Sequence, residues 1–451
     1  MIRPTLQHYD LVLVNTPAQD YGVCIEQDQS GTIPPLGLGS ILTFLAHHGK
    51  KVGLLDADAL KMSVVETIDF LRSCPTDYVG FTAMSENIHI AGYIAQALPQ
   101  RTILGGIHAR LIPEETIQQF SFFYAVVHGE GEESTLKIID GTPREEITSV
   151  AFVDGEKYVV NPKGEWIDVN AIPPIDKIFF EPTGETYYMI TSRGCPFNCS
   201  YCASPLLCGR VVRFESMTRV VAQMKIAYDD GKRFFHFLDD QFLISEKRAR
   251  EFFEGLKSVD LYGIITWRAM ARVDVLLGMS EETLHALKES GGTTIAIGIE
   301  SGCDRILKMT HKGSDNNMAK VVVKKLVDLG FIVKAFFILG FPTETYREIQ
   351  ETRNFIMELG KLGLSYFNVA ILRPYPGTEV YYQLLGQGYR PEEIFYEDIR
   401  DNIVAPDKKY IHGYYNHLNR QVQISAVSND ELRRFISDMI QEFDNCFGRV
   451  D

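Results

Sequence analysis

The chain has 451 residues, of which 45% are hydrophobic and 23% are charged, and its formal net charge is −14. This length exceeds one ordinary hydrophobic core, so we expect two or three domains of a globular protein. The acidic balance argues against a nucleic-acid binder, because phosphate backbones attract basic surfaces. It is compatible with a small substrate that is neutral or cationic.

The N-terminus and the cysteine content indicate the cellular compartment in which the protein is expected. Residues 1–17 lack the apolar core and the small-residue cleavage site of a signal peptide. Nowhere do eighteen apolar residues run together, so we expect no membrane span. Eight cysteines are too few for a disulfide scaffold in a chain of this length, and clustered cysteines therefore favour metal or redox chemistry. We expect a cytoplasmic protein.

Residues 1–145 alternate short apolar runs with helical segments. Strands are predicted at DLVLVNTP (10–17), KVGLLDAD (51–58), DYVGFTAM (77–84), RTILGG (101–106) and FFYAVV (122–127). Apolar strands that alternate with helices are typical of a parallel sheet with helices on both faces. We therefore predict a doubly wound, Rossmann-like α/β domain over this range.

Residues 146–184 are predicted to form a connector that contains a small hairpin, with its turn at Asp154–Gly155, and a proline-broken linker. A second α/β series follows over residues 185–385, with strands predicted at 187–194, 233–242, 263–273, 293–302, 332–342 and 365–377. Six such repeats predict a partial (β/α)6 barrel, whose active site lies at the carboxyl ends of the strands.

Residues 386–451 are predicted to form a small, mostly helical region that caps the barrel mouth. It contains an aromatic patch, KKYIHGYYNHL (408–418). It also contains a helix, SNDELRRFISDMIQEF (428–443), for which Ser428 or Asn429 is a suitable N-cap.

Four cysteines lie close together in SRGCPFNCSYCASPLLCGR (192–210), at Cys195, Cys199, Cys202 and Cys208. A zinc site would use all four, but structural zinc ligands more often come as two separated pairs. A disulfide cluster is disfavoured by the absence of a secretory signal. The third alternative is a cubane iron–sulfur cluster, whose four irons would take three thiolates and leave one position open. An open position is typical of a reactive metal centre.

The C-x3-C-x2-C spacing, with an aromatic residue before its last cysteine, resembles the radical S-adenosylmethionine (radical SAM) superfamily. The resemblance implies that Cys195, Cys199 and Cys202 ligate a [4Fe–4S] cluster whose open iron binds SAM. One electron, from a donor such as flavodoxin or ferredoxin, then cleaves SAM to methionine and a 5′-deoxyadenosyl radical. That radical abstracts hydrogen from an unactivated carbon. We expect Cys208 to be a free thiol, because a fourth thiolate would block SAM.

Further segments resemble the branch of this superfamily that has an N-terminal cobalamin (B12)-binding domain. In the predicted barrel they are HFLDDQF (236–242), WRAMARVD (267–274), GIESGCDRILK (298–308), FILGFPTET (337–345) and RPYPGTEVYYQL (373–384). In the first domain they are PPLGLGS (34–40), GGIHARLIPEE (105–115) and VVHGEGEEST (126–135). The resemblance therefore implies cobalamin as a further cofactor.

The sequence leaves cobalamin binding open. After the first strand the chain reads NTPAQDYGVCIEQD (15–28) rather than the DxHxxG motif of many cobalamin domains. The glycine-rich stretches Pro34–Gly39, Gly105–Gly106 and Gly129–Gly131 suit a corrin cradle, because glycine lets backbone approach a ligand closely. They equally suit turns of a domain that has lost its cofactor. His108 does not match a lower-ligand motif.

The resemblance also assigns SAM contacts in the first half of the barrel. Tyr201 is placed near the adenine, although it could equally be a packing residue. Asp239 and Asp240 are placed at the amino group of SAM, where a carboxylate makes a charge-assisted bond; the alternative is an N-cap of the helix near Ser245. Arg272 is placed at the SAM carboxylate, with an ordinary ion pair as the alternative.

Later strand ends receive similar assignments. Glu300 and Ser301 are suited to the ribose hydroxyls. Gly340 and Pro342 shape a loop whose backbone can approach the adenine, although a purely structural turn would use the same residues. On the sixth strand, Tyr366, Asn368, Arg373 and Tyr375 point alternately toward and away from the barrel interior, and the sequence does not decide which set lines the pocket.

The resemblance favours a cobalamin-dependent C-methylase that acts on a small biosynthetic intermediate. One alternative keeps the radical step without cobalamin, as deoxygenation or dehydration of an aminosugar-type diol or as oxidative cyclisation. The acidic composition slightly favours such a cationic aminosugar. The non-enzymatic alternative is an iron–sulfur electron carrier, in which Cys208 would complete the cluster.

Overall fold

The structure is a computed structural model that describes residues 7–17, 33–85, 87–180, 183–391, 394 and 424–448. The described residues form two compact units, one made mainly of residues 7–180 and the other of residues 183–389 and 424–448. Within these ranges no helix combines the length and the apolarity that crossing a bilayer requires. The predicted aromatic patch at 408–418 lies outside the described residues.

The first unit is a doubly wound α/β fold, as predicted. Its strands are β1 (Tyr9–Asn15), β2 (Val52–Asp56), β3 (Thr76–Thr82), β4 (Arg101–Gly105), β5 (Ala125–Val127), β6 (Val150–Asp154) and β7 (Lys157–Val160). Its helices are α1 (Leu36–His47), α2 (Val64–Ser73), α3 (Ile88–Gln96), α4 (Ile107–Leu111), α5 (Pro113–Gln119) and α6 (Gly131–Ile139). The strand order is β2-β1-β3-β4-β5-β6-β7, and β1 to β5 pair in parallel.

Each face of this sheet buries its own hydrophobic core, which explains the continuous apolar runs of the strands. On β1, Leu11 and Leu13 belong to one core and Val12 and Val14 to the other. The strand order reverses between β1 and β3. In open parallel sheets such a switch point opens a crevice at the carboxyl ends of the strands, where ligands bind.

The predicted connector differs from the structure. The hairpin is present, and its turn includes Gly155 in the left-handed conformation, with φ of 60°. However, β6 pairs antiparallel to β5 and so extends the first sheet. Further along, Ile167, Ile172 and Phe179 are buried in the same core. The first unit therefore continues to residue 180 rather than ending at 145, because a hairpin pattern does not reveal which sheet edge it joins.

The second unit contains the predicted six-stranded parallel sheet. The strands are β8 (Thr186–Met189), β9 (Ser192–Arg193), β10 (Arg213–Phe214), β11 (Phe234–Phe237), β12 (Thr266–Arg272), β13 (Gly292–Glu300), β14 (Ile332–Leu339) and β15 (Tyr366–Ile371). In the sheet, β8, β11, β12, β13, β14 and β15 lie side by side in chain order, and β9 and β10 form a separate antiparallel ribbon.

Helices connect the strands of the second unit. They are α7 (Ser204–Cys208), α8 (Met217–Asp229), α9 (Glu246–Ser258), α10 (Val273–Leu277), α11 (Glu281–Glu289), α12 (Asp304–Met309), α13 (Asn316–Asp328), α14 (Tyr346–Lys361), α15 (Glu379–Gly386) and α16 (Asn429–Phe447). Parallel strands in sequential order, joined by right-handed crossovers, place the connecting helices on one face of the sheet. This is the architecture of a partial (β/α)6 barrel.

The two faces of this sheet have different roles. Phe235, Phe237 and Trp267 are fully buried in the core beneath the helices. Because side chains alternate along a strand, His236 and Arg268 project from the opposite face, which we call the helix-free face.

The same alternation decides the orientation of the sixth strand. Phe367 and Val369 belong to the core beneath the helices. Tyr366 and Asn368 therefore lie on the helix-free face, which settles the choice that the sequence left open for these two residues.

The C-terminal helix α16 is present and begins at Ser428, whose side chain forms a capping box with Glu431. It does not cap the barrel mouth as predicted, because it packs in the core beneath the helices. The Phe443 ring lies 5.0 Å from that of Phe367 on β15. An amphipathic pattern shows that a helix has an apolar face, but not which surface covers it.

Candidate active site

The three cysteines of the C-x3-C-x2-C motif lie on the loop that follows β8. Gly194 opens this loop with φ of 109°, and a Cβ there would lie 2.4 Å from the carbonyl oxygen of Val211. Only glycine fits such a close crossing of two backbone segments. The Cys195 amide donates to the carbonyl of Gly209 at 3.0 Å, and the Cys202 amide donates to that of Cys199 at 3.1 Å. The loop is therefore folded back on itself by backbone contacts.

Cys195 and Cys202 lie in a setting that disfavours ionisation of their thiols. The pKa of Cys195 is raised to about 11, mainly by burial and to a smaller extent by the charges of Asp240, Cys202 and Cys199, which together outweigh a backbone hydrogen bond from Phe197. Burial likewise raises the pKa of Cys202. A bound cation would reverse this balance, because a metal-coordinating thiol is deprotonated outright. The raised pKa values of Cys195 and Cys202 therefore argue against a role as free nucleophiles.

The arrangement does not suit a single metal ion. In the described part of the chain, no three histidine, cysteine, aspartate or glutamate side chains lie close enough together to hold one ion. Cys208 lies at the end of α7 and is not among the neighbouring groups that most affect the pKa of Cys195 or Cys202.

Arg272, at the carboxyl end of β12, holds the cysteine loop. Its guanidinium makes two hydrogen bonds to the Asp274 carboxylate, at 2.8 and 2.9 Å. It also donates to the Sγ atom of Cys199 at 3.4 Å and to the carbonyl oxygen of Lys312. The guanidinium carbon lies 3.7 Å from the centre of the Phe197 ring, a close cation–π contact. The planar, multidentate head of arginine suits this set of partners.

Glu300, at the end of β13, continues the network. It has φ of 75°, a conformation that non-glycine residues rarely adopt, and its buried carboxylate forms an ion pair with Lys312. The Tyr201 hydroxyl also donates a hydrogen bond to this carboxylate. Burial and the nearby charges of Glu300 and Cys199 raise the pKa of Tyr201 well above its usual value. Tyr201 packs edge-on against Phe341, with the ring centres 5.8 Å apart.

The two aspartates after β11 have different surroundings. The Asp239 carboxylate is buried and accepts bonds from the backbone amide and hydroxyl of Thr191 and from the Ser192 hydroxyl. Asp240 is exposed, and among the described residues its carboxylate accepts one side-chain hydrogen bond, from the Ser204 hydroxyl at 3.2 Å. Neither caps α9, whose N-cap is the Ser245 hydroxyl. Asp240 is thus the carboxylate with acceptor capacity for a ligand.

The loop after β14 is held by an acid that the sequence did not single out. Gly340 has φ of 90°, and the amides of Gly340 and Phe341 both donate to the Glu344 carboxylate, at 2.6 and 3.1 Å. Glu344 is fully buried, and its other oxygen, Oε1, has no hydrogen-bond partner among the described residues. Burial raises the pKa of this carboxyl from its usual 4.5 to about 7, because it outweighs the two backbone bonds.

In the first unit, polar groups collect at the carboxyl edge of the sheet beside the switch point. The Asn15 side chain donates to Asp56 at 2.8 Å, and the Thr16 hydroxyl donates to the carbonyl of Thr82 at 2.8 Å. These residues end β1, β2 and β3. This edge is where a doubly wound domain binds its ligand.

Comparison with known proteins agrees with this geometry. Residues 189–356 match the model of the radical SAM superfamily, and residues 27–139 match that of the B12 binding domain. The uncharacterized methyltransferase PH0819 of Pyrococcus horikoshii is 30% identical over 390 residues, which cover 82% of each chain. The chain belongs to the radical SAM superfamily. Its first unit is the B12-binding domain found in one branch of that superfamily.

Two further proteins are similar over most of their length. The cytidylyl-2-hydroxyethylphosphonate methyltransferase of Streptomyces wedmorensis is 26% identical, covering 87% of this chain and 85% of the relative. The radical SAM methyltransferase TsrM of Kitasatospora setae, solved with cobalamin and a [4Fe–4S] cluster, superposes with a TM-score of 0.67. That superposition covers 84% of this chain and 75% of TsrM at 17% identity, and it shows a common fold.

The residues present fit the cofactors of this radical SAM enzyme. The thiols of Cys195, Cys199 and Cys202 have the donor chemistry of an iron–sulfur cluster, and the Arg272 guanidinium provides a hydrogen bond to one of the sulfurs. When bound, the cluster and SAM supply a 5′-deoxyadenosyl radical. At the B12 sheet edge, a Cβ on Gly105 would have only one neighbour, an oxygen of Phe81 at 3.9 Å, so the backbone there is open to a ligand.

The other glycine-rich stretches have packing roles instead. A Cβ on Gly39 would lie 2.3 Å from the Phe180 ring, one on Gly131 would lie 2.5 Å from Ile41, and one on Gly129 would lie 2.5 Å from Ser149. These glycines allow close approach of protein to protein, and so does Gly106, whose Cβ would lie 2.5 Å from the Ala83 carbonyl oxygen, whereas the backbone at Gly37 and Gly105 is open.

Apart from Asp239 and Ser301, whose buried side chains are bonded within the protein, the predicted SAM contacts divide into two groups. Asp240 and the loop of Gly340 and Pro342 lie at strand ends with capacity for a ligand, and their roles stay predictions. In contrast, Ser301 is fully buried and bonded to Thr352 and to the Cys303 amide, which suits a structural role.

The second group consists of residues that mainly contact one another. Tyr201, Arg272 and Glu300 meet through Lys312 and the cysteine loop. Their SAM contacts also stay predictions. The sequence missed Lys312, which no quoted motif contains.

We expect three of the four cysteines to be cluster ligands and Cys208 not to be one. Cys202→Ser should lose the cluster, because a thiolate ligand is removed, whereas Cys208→Ser should keep four irons per chain. Iron analysis and the visible spectrum after anaerobic reconstitution measure this directly. Loss of the cluster in Cys208→Ser, with retention in Cys202→Ser, would contradict the assignment.

Replacement of Arg272 by Met should lower the reduction potential of the cluster, because hydrogen bonds to cluster sulfurs help to set that potential. SAM cleavage should slow by about 10–100-fold, as for other outer contacts of metal ligands. Redox titration followed by electron paramagnetic resonance tests the shift. Arg210→Met is the matched control, since Arg210 is exposed and bonded to Asn198. An unchanged reduction potential in Arg272→Met would contradict a hydrogen bond from Arg272 to a sulfur of the cluster.

Glu344 should make stability depend on pH. Its pKa is near 4.5 when unfolded and about 7 when folded, so its contribution is full below pH 4.5 and is lost as pH rises to 7. The 2.5-unit difference corresponds to at most about 3 kcal/mol. Denaturant midpoints of wild type and Glu344→Gln at pH 5 and pH 8 measure it. Between pH 5 and pH 8 the midpoint of the wild type should fall more than that of the glutamine variant. An equal fall in both proteins would show that Glu344 is not the cause of the pH dependence.

Proposed function

We propose that this radical SAM enzyme replaces a hydrogen of a small-molecule substrate carbon with a methyl group that cobalamin supplies. The observation that carries the proposal is the combination of two features in one chain. One is a radical SAM barrel with the three cysteines of the C-x3-C-x2-C motif on one loop, and the other is a B12-binding domain with open backbone at Gly105 on its ligand edge. The methyltransferase names of both relatives support it.

The residues of the chain have distinct tasks in this proposal. Arg272, Lys312 and Glu300 hold the cysteine loop at the carboxyl edge of the barrel. Asp240 is available to the SAM ammonium, and the Gly340 loop is available to the adenine. The substrate lies on the helix-free face, which faces away from the apolar core. The chain works in the cytoplasm, where flavodoxin or ferredoxin donates the electron.

The proposal predicts three observations on the anaerobically reconstituted protein. With dithionite, the wild type should release 5′-deoxyadenosine from SAM, and Cys202→Ser should release none. After incubation with hydroxocobalamin and desalting, the wild type should retain corrin absorbance. Gly106→Ala should retain less, because its Cβ would lie 2.5 Å from the Ala83 carbonyl oxygen, whereas the open position of Gly37→Ala should be tolerated.

The outcomes separate the alternatives. SAM cleavage without any retained corrin would contradict methylation and favour the cobalamin-independent deoxygenation or cyclisation. Absence of SAM cleavage by a protein that holds four irons would contradict the radical reaction and favour an electron carrier. With a candidate substrate and methyl-labelled SAM, label in the product is the expected result.

A further inference from the structure

The cysteine loop, residues 194–212, leaves the barrel sheet just after Thr191, which lies between β8 and β9. The chain returns along β10, where Phe214 is the antiparallel partner of Ser192 on β9. Directly after β10, the Glu215 amide donates to the carbonyl of Thr191 at 2.9 Å. Thr191 is fully buried. The two ends of the loop therefore meet at this one residue.

The Thr191 hydroxyl joins two buried charges. It donates to the Asp239 carboxylate at 2.9 Å and accepts from the Arg248 guanidinium at 3.1 Å. Asp239 is 1% exposed and Arg248 is 5% exposed. Burial raises the pKa of Asp239 and lowers that of Arg248, and the charge of each partner opposes the shift in the other. Such buried groups are stable only while these hydrogen bonds are made.

Arg248, on helix α9, contacts both ends of the cysteine loop. Its guanidinium donates to the carbonyl of Glu215 at 3.1 Å and to the carbonyl of Thr191 at 3.5 Å. The guanidinium carbon also lies 4.6 Å from the centre of the Phe214 ring, a cation–π contact with β10. One side chain thus connects the helix to the residue before β9 and to the residues that end the ribbon.

The carboxylate that is available to SAM is tied to the same loop. Asp240 directly follows Asp239 and accepts from the Ser204 hydroxyl, within the cysteine loop, at 3.2 Å. Asp239 itself accepts from the Ser192 hydroxyl on β9. SAM is expected to contact both the cluster on this loop and groups at the strand ends. A displacement of the loop by about 1 Å would misalign these contacts, and such displacements can slow a reaction by about 100-fold.

We infer that Thr191 is a positioning residue, whose hydroxyl bridges Asp239 and Arg248 and so fixes the cysteine loop relative to the carboxyl edge of the sheet. Backbone bonds within the loop keep the three thiols together, and Thr191 sets where they lie. Asp239 then orients the loop, and Asp240 contacts the SAM ammonium group. The inference concerns the binding and cleavage of SAM, and it does not depend on the cobalamin step of the proposed function.

Thr191→Val and Thr191→Ser separate the effect of the hydroxyl from that of the shape of the side chain. Both variants should retain the cluster after anaerobic reconstitution. In Thr191→Val, about tenfold more SAM should be needed to change the electron paramagnetic resonance spectrum of the reduced cluster, as for other outer contacts of metal ligands. The KM for SAM in 5′-deoxyadenosine release should rise by the same factor. Thr191→Ser should behave as the wild type does, because it keeps the hydroxyl.

Hydrogen exchange reports the position of the loop independently of activity. The Glu215 amide, which donates to Thr191, should exchange faster in Thr191→Val and at the wild-type rate in Thr191→Ser. Thr283→Val, on α11, is the matched control. Thr283 is also fully buried, and its hydroxyl likewise accepts one bond, from Ser280, and donates another to the Glu246 carboxylate, at 2.7 Å. It should leave both the SAM affinity and the exchange of the Glu215 amide unchanged.

Three results would overturn the inference: unchanged SAM affinity in Thr191→Val, equal losses in Thr191→Val and Thr191→Ser, or the same loss in Thr283→Val. If Thr191→Val loses its irons, Arg248→Met takes its place and should show the same loss of SAM affinity, and wild-type affinity in Arg248→Met would contradict the inference. Failure of the wild type to retain cobalamin would instead contradict the proposed methylation and would leave these measurements unaffected.

Discussion

The guanidinium of Arg272 is the contact on which the arrangement of the active site depends. It joins the cysteine loop after β8, through Cys199 and Phe197, to the backbone of Lys312 in the loop between α12 and α13. The side chain of Lys312 then pairs with Glu300, which accepts a bond from Tyr201 on the cysteine loop. The contacts close into a ring. Buried charges in such a ring are stable because each faces an opposite charge or a donor.

This ring separates two functions of the sheet. The carboxyl edge of the sheet presents the thiols and loop backbone that suit a cluster and SAM, whereas the helix-free face is the one that we propose for the substrate. The helices lie on the other face of the sheet, where their apolar sides are buried in the core. Along each strand, every second side chain therefore packs in the core and stabilises the fold, and the side chains between them are available for chemistry.

The sequence predicted the strands and helices better than it predicted which segments and side chains contact one another. Apolar runs located the barrel strands, and cysteine spacing identified the three thiols, because both are local patterns. The pairing of Glu300 with Lys312 was missed, since polar residues at strand ends look alike whether they bind a ligand or one another. The edge joined by the 150–160 hairpin and the surface covered by α16 were also missed. Both depend on contacts between segments far apart in the chain, which no local pattern encodes.

The central claim is that the protein supplies three thiolates to a four-iron cluster and leaves one iron for SAM. Mössbauer spectroscopy of protein reconstituted with 57Fe tests it most directly. The account predicts that SAM changes the spectrum of one iron in four and leaves three unchanged, in wild type and in Cys208→Ser alike. Four irons that are all unaffected by SAM in the wild type would contradict it, as would a unique iron that appears only when Cys208 is replaced.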